Sequence, residues 1–250
     1  MIDEQRDRGV AVLRMDHGKV NTLDVELLDA LTERLTDLRR ATPPAVVLTG
    51  SGRVFSAGLD LVRVIDGGRE YIDKLIPALS RTFEALFGFP RPVVAAINGA
   101  AIAGGCILAC ACDRRLMSDS GAPIGATELL VGVPFPAAAL EILRYACGDR
   151  TEDAVLTARL FTGPDAIVAG LVHAYVPADD LLEAAVALAE EMSRVAPDGY
   201  RMAKEQLRRP TFERIAAAES GDAAVRRIWS SPATAAAIQA QLDRVASRGR

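Results

Sequence analysis

The chain is poor in the residues that most often announce a catalytic centre. It has two histidines, His17 and His173, far apart in sequence, and no Ser-His-Asp order built on a nucleophile elbow. Each histidine is therefore read as a structural or surface residue. Four cysteines are present, three of them (Cys106, Cys110, Cys112) crowded into one apolar segment and the fourth at Cys147. Cys106 and Cys110 share a helical face that carries no His, Asp or Glu, so no metal site is expected. Buried, reduced thiols acting as small hydrophobes fit better than a disulfide framework. Apolar runs such as Val93–Ile97 and Ile107–Ala111 fall far short of the roughly 20 residues that span a bilayer, so no membrane association is expected. The opening MIDEQRDRGV is charged and lacks the apolar centre of a signal peptide, which places the chain in the cytoplasm by expectation. Charge of neither sign dominates: 29 basic against 33 acidic residues give a formal net charge of −4, with no global attraction to nucleic acid.

What is present is a regular alternation. Gly9–Met15 is a short β-rich run, and Asp24–Arg40 carries Val25, Leu28, Leu31, Leu35 and Leu38 at helical spacing. Ala45–Thr49 and Val93–Ile97 read as buried strands, each introduced by prolines, with a helix over Glu70–Phe87 between them. Beyond Pro136 helices dominate, at 137–147, 151–158, 179–195 and 198–207, with one strand over Leu171–Val176. At 250 residues the chain is long enough to bury a sizeable core. The pattern predicts an α/β layer fold followed by a helical extension.

Two of the strands end in pinches of small residues. VFSAGLDL (Val54–Leu61) places Ala57-Gly58 where a strand would keep bulk, and NGAAIAGGC (Asn98–Cys106) runs straight into an apolar helix. The first N–H groups of a helix have no intrahelical acceptor and carry partial positive charge, so Gly104 can offer an N–H to an anion. If Leu59 N–H faces the same point, two backbone donors converge on one oxygen. Neither turn has the spacing of a dinucleotide or phosphate-loop motif.

In this order the two pinches resemble the crotonase, or enoyl-CoA hydratase/isomerase, superfamily. The likeness is carried by KVNTLD (Lys19–Asp24), VFSAGLDL, AAINGAAIAGGCILACACDRR (Ala95–Arg115), IGATELLVGVPFP (Ile124–Pro136) and LFTGPDAIVAGLVHAYVP (Leu160–Pro177). The resemblance implies a crotonase-like β-β-α superhelix over residues 1–195, and a C-terminal helical region, 196–250, serving oligomerisation and pocket closure. It implies an acyl-CoA substrate with its thioester oxygen between the amides of Leu59 and Gly104. Coenzyme A would lie along Lys19, Val20, Ala57, Gly58, Asp60 and Leu61, with Asp60 organising the turn and Lys19 or Arg63 within reach of phosphates. No cofactor is implied, coenzyme A being part of the substrate, and the assembly would be a homotrimer or hexamer. A hydratase of this family holds water between two glutamates; the first position is Ile107 here, and the second is Glu128. The position of a further aspartate used by some relatives is Pro136. A lone carboxylate beside an oxyanion hole fits an enoyl-CoA isomerase, with a hydratase or a catalytically silent acyl-CoA binder as alternatives. Arg114-Arg115 and Arg208-Arg209 read as solvated faces, and Trp229 and Phe212 as tail residues that close the acyl pocket or meet a neighbouring subunit.

Overall fold

The β-branched runs form the middle of a six-stranded sheet in a computed structural model that describes residues 1–218 and 222–248. Its strands are β1 (Ile2–Asp7), β2 (Val10–Met15), β3 (Val46–Gly50), β5 (Val93–Ile97), β7 (Arg114–Ser118) and β9 (Ala174–Val176), in that spatial order. Only the β1–β2 hairpin is antiparallel; the other pairings are parallel. Its turn, Arg8-Gly9, has positive φ at both residues (50° and 82°), the twist that two-residue hairpins favour. A second, three-stranded parallel sheet is built from β4 (Val54–Ser56), β6 (Ala100–Ile102) and β8 (Ile124–Gly125).

From β3 onward, successive strands go alternately to the two sheets. β3-β4 leads to helix α2 (Leu61–Phe87), β5-β6 to α3 (Gly104–Ala111), and β7-β8 to α4 (Ala137–Cys147). This is a β-β-α superhelix, as the sequence predicted. The large sheet is covered on both faces, which explains its continuous apolar runs. Val46, Leu48, Val93, Ala95 and Ile97 face the main core, together with α1 (Val25–Ala41), α2 and α3. The alternate residues Val47, Val94 and Ala96 face α7 (Leu181–Ser193) through Leu181, Ala185, Val186 and Ala189. The short helices α5 (Thr151–Leu156) and α6 (Gly163–Val168) join α4 to β9.

Several elements differ from expectation for identifiable reasons. Helix α2 begins nine residues earlier than predicted because Asp60 caps it, accepting Arg63 N–H at 3.0 Å; the chain then breaks at Gly68 (φ 51°). Helix α8 (Pro197–Ala218) runs on through Pro210. It is followed by α9 (Asp222–Trp229) and α10 (Pro232–Arg248). The predicted helical region 196–250 includes residues 219–221 and 249–250, which lie outside those described.

The arginine pairs are not solvated faces. Arg114 and Arg209 are exposed, but Arg115 and Arg208 are 5% and 4% exposed. Strand alternation turns Arg115 inward, where it donates to the carbonyls of Cys112, Gly170 and Leu171. Arg208 pairs with Asp113 at 2.7 Å, lies 4.1 Å from the Phe87 ring centroid and donates to Phe87 O. His173 accepts Arg115 N–H at Nδ1 (3.0 Å); burial, with Arg115 nearby, lowers its pKa to about 4. All four cysteines are buried and unpaired.

Candidate active site

The pinch after β4 is small because other backbone fills the space. Gly58 has φ +85°, and a Cβ there would stand 2.8 Å from Ile102 O and 3.0 Å from Ala103 Cβ, on the second pinch. The turn is fixed from one side by a single loop. Ala57 N–H donates to Val20 O (3.0 Å), Leu23 N–H to Gly58 O (2.7 Å), and Asp60 N–H to Leu23 O (3.1 Å). Ser56 Oγ donates to Asn21 O at 2.7 Å. Among the described residues, no protein acceptor takes Leu59 N–H.

The second turn follows β6. Ala103 takes a glycine-like conformation (φ 51°, ψ −123°), and its N–H donates to Gly125 O at 2.8 Å. Gly104 then opens α3, and its N–H likewise has no protein acceptor among the described residues, as expected for the first residue of a helix. Gly105 has no room for a side chain, since a Cβ would come 2.5 Å from Ser56 O. The N-terminus of α3 thus rests directly on β4.

The third contribution comes from β8. Two residues beyond Gly125, Thr127 leads into a single helical turn, Glu128–Val131, closed by left-handed Gly132. Glu128 is only 5% exposed, and its Oε2 is buried with no hydrogen-bond partner. Burial pushes its carboxyl up to about 8, because the charged form loses water without gaining a cation.

These parts meet at a cavity of about 470 Å³. Of the residues singled out from sequence, Val20, Ala57, Leu59, Asp60, Leu61, Glu128 and Trp229 line it. Gly58 and Gly104 are buried outside its lining, Gly104 lying against the side chains of Leu23 and Leu59. Lys19 is exposed and outside the lining. Arg63 lies outside the lining and donates to Asp24 at 2.8 Å and to Glu26 at 2.7 Å. Ile107 is buried in the core rather than at the cavity wall.

Sequence reasoning missed most of the far wall. Ile238, Gln241, Leu242 and Val245 of α10 line it, at the i, i+3, i+4, i+7 spacing that could have signalled a buried face. Trp229 joins them, its indole N–H donating to Pro134 O at 2.8 Å. Phe212 does not: it packs on Phe87 in a separate cleft of about 700 Å³, which none of the predicted substrate-binding residues lines.

A parallel β-β-α superhelix whose two small-residue turns, through Leu59 and Ala103, and buried Glu128 border one cavity has the architecture of the crotonase type. The chain belongs to the enoyl-CoA hydratase/isomerase family, whose model matches residues 5–241. It is 40% identical over 214 residues to a Thermus thermophilus protein named "Putative enoyl-CoA hydratase", covering 83% of each chain. Human mitochondrial Δ3-Δ2-enoyl-CoA isomerase superposes with a TM-score of 0.93 at 26% identity, covering 99% of this chain and 98% of that one. The enoyl-CoA hydratase EchA3 of Mycobacterium ulcerans gives a TM-score of 0.83 at 30% identity, over 90% of this chain and 98% of that one. Among the described residues no helix is long and apolar enough to cross a membrane.

Proposed function

We propose that the chain is an enoyl-CoA isomerase, converting a 3-enoyl-CoA to the conjugated trans-2-enoyl-CoA. The observation that carries the reading is Glu128: a buried, unpartnered carboxylate at the cavity, with an apolar residue at 107 where a second acid would be needed to hold water. The thioester oxygen accepts from Leu59 N–H and Gly104 N–H, each donor contributing roughly 2.7–4 kcal/mol to the charged intermediate. Glu128 takes a proton from C2, the electron pair shifts into the dienolate held by the two amides, and the protonated carboxyl returns the proton to C4. The carboxylate is regenerated, so the cycle consumes no redox equivalent and calls for no metal. A carboxyl with a pKa near 8 is matched to this double duty, since it both accepts and releases a proton near neutral pH.

The near-complete coverage of the human isomerase, C-terminal helices included, supports the same reading. The second reading is a hydratase, favoured by the name of the Thermus relative. It requires Glu128 alone to orient the attacking water. The two are separated by assaying wild type and Glu128→Gln on 3-enoyl-CoA and on 2-enoyl-CoA. The isomerase reading expects conjugation of the 3-enoyl substrate and a loss of about 10²–10⁴-fold on substitution. Isomerisation untouched by the substitution would overturn the assignment of Glu128, and water addition outpacing isomerisation would favour the hydratase.

A further inference from the structure

The wall contributed by α10 has one polar side chain in an otherwise apolar stripe. Ile238, Gln241, Leu242 and Val245 all face the cavity, while Gln239 and Asp243 on the outer side bond to each other at 3.0 Å. Depth along the stripe is graded: Ile238 is 1% exposed and Val245 60%, with Gln241 between them and half-buried. Helix α10 packs against the turn that carries Glu128, and Gln241 and Glu128 line the same cavity. Its amide has no hydrogen-bond partner among the described residues, although it can offer two donors and an acceptor.

We propose that Gln241 is the contact for an oxygen substituent on the acyl chain, so that hydroxy- or oxo-acyl thioesters are preferred over plain alkyl ones. The proposal rests on the acyl-thioester reading above and narrows its substrate class. A plain alkyl chain lying along this stripe strips water from the amide and returns nothing, whereas a hydroxyl or carbonyl replaces the lost hydrogen bond. Sites built to bond a substrate hydroxyl discriminate strongly against analogues that lack it. A leucine at 241 would instead continue the apolar stripe and favour the plain chain.

The test uses saturated thioesters, which bind without reacting: hexanoyl-CoA and its 4-, 5- and 6-hydroxy derivatives, titrated calorimetrically into wild type, Gln241→Leu and Gln241→Met. Wild type is expected to prefer at least one hydroxylated ligand by roughly 10-fold, and both variants to lose that preference while binding hexanoyl-CoA as well or better. Thermal melts confirm that the variants are folded, and methionine retains the length of the side chain if leucine is not tolerated. Equal affinities in wild type, a preference that survives in both variants, or a parallel loss for all ligands and for free coenzyme A would each overturn the proposal. Failure of every acyl-CoA to bind wild type would instead bring down the acyl-thioester reading beneath it.

Discussion

Leu23 brackets Leu59. Its N–H donates to Gly58 O at 2.7 Å and its carbonyl accepts Asp60 N–H at 3.1 Å, making a parallel bridge in which Leu59 N–H is left unspent. The Leu23 side chain also lies beside Gly104, where a Cβ would meet its Cδ1 at 2.8 Å. One residue of the loop before α1 thus aligns the first turn through its backbone and presses on the second through its side chain.

That asymmetry separates two glycine substitutions. Gly58→Ala meets backbone oxygen and holds φ at +85°, neither of which can relax cheaply, so a loss of about 2–4 kcal/mol is expected in urea unfolding. Gly104→Ala meets the end of the Leu23 side chain rather than backbone and needs no positive φ, so it should cost less, about 1–2 kcal/mol. Alanine at 104 keeps the backbone N–H, so the milder substitution leaves that donor in place. Equal stabilities of the two variants would contradict this ordering.

Glu128 ties activity and stability to pH in opposite directions. The catalytic base must be ionised, so kcat/KM should rise with pH through about 8. In the unfolded chain the same carboxyl ionises near 4.5, and between these values the folded state binds the extra proton. Stability associated with Glu128 is therefore full below 4.5 and is lost as pH rises towards 8. Glu128→Gln removes the titration and should gain on wild type across that window, by on the order of 2–5 kcal/mol at its upper end. Parallel melting curves of the two proteins from pH 5 to pH 9 would refute the burial argument.

The central strands were legible because both faces are buried, which leaves unbroken runs such as Val93–Ile97. β1 was not, because an edge strand with one half-exposed face reads IDEQRD, and its charges hide the alternation. β7 was hidden by Arg114-Arg115, since nothing in a single sequence says that an arginine will be satisfied by three carbonyls. At the site, the two turns stand out as small-residue pinches after strands, whereas Glu128 is singled out only through the family resemblance. The far wall was not legible, because which face of α10 meets the cavity depends on packing more than a hundred residues from β8 in sequence.

Asn21 holds the loop that carries Leu23. It is 1% exposed at φ 50°, a conformation asparagine tolerates, and its Nδ2 donates to Val54 O (3.1 Å) and Phe55 O (3.2 Å), just ahead of the first turn. Asn21→Ala strands those carbonyls and should cost about 2–4 kcal/mol. Asn21→Asp should cost more, because it keeps the shape but sets a carboxylate against two carbonyl oxygens. Thermal melts of both variants decide the order, and a milder effect for aspartate would show that water or a rotated side chain replaces the bonds.

The C-terminal helices hang on a different buried centre. Asp113, at the mouth of β7, accepts Val93 N–H, Lys204 Nζ and Arg208 Nη2, each at 2.7 Å. Removing the carboxylate in Asp113→Ala leaves two buried cations facing one another, and a loss of about 3–5 kcal/mol is expected. Lys204→Met is milder, since Arg208 and the Val93 amide still satisfy Asp113 and methionine keeps the apolar stem. The double variant should recover part of the loss suffered by Asp113→Ala, because one of the stranded charges is gone. Strictly additive effects in a chemical-denaturation cycle would mean that the two side chains do not share the energy their geometry implies.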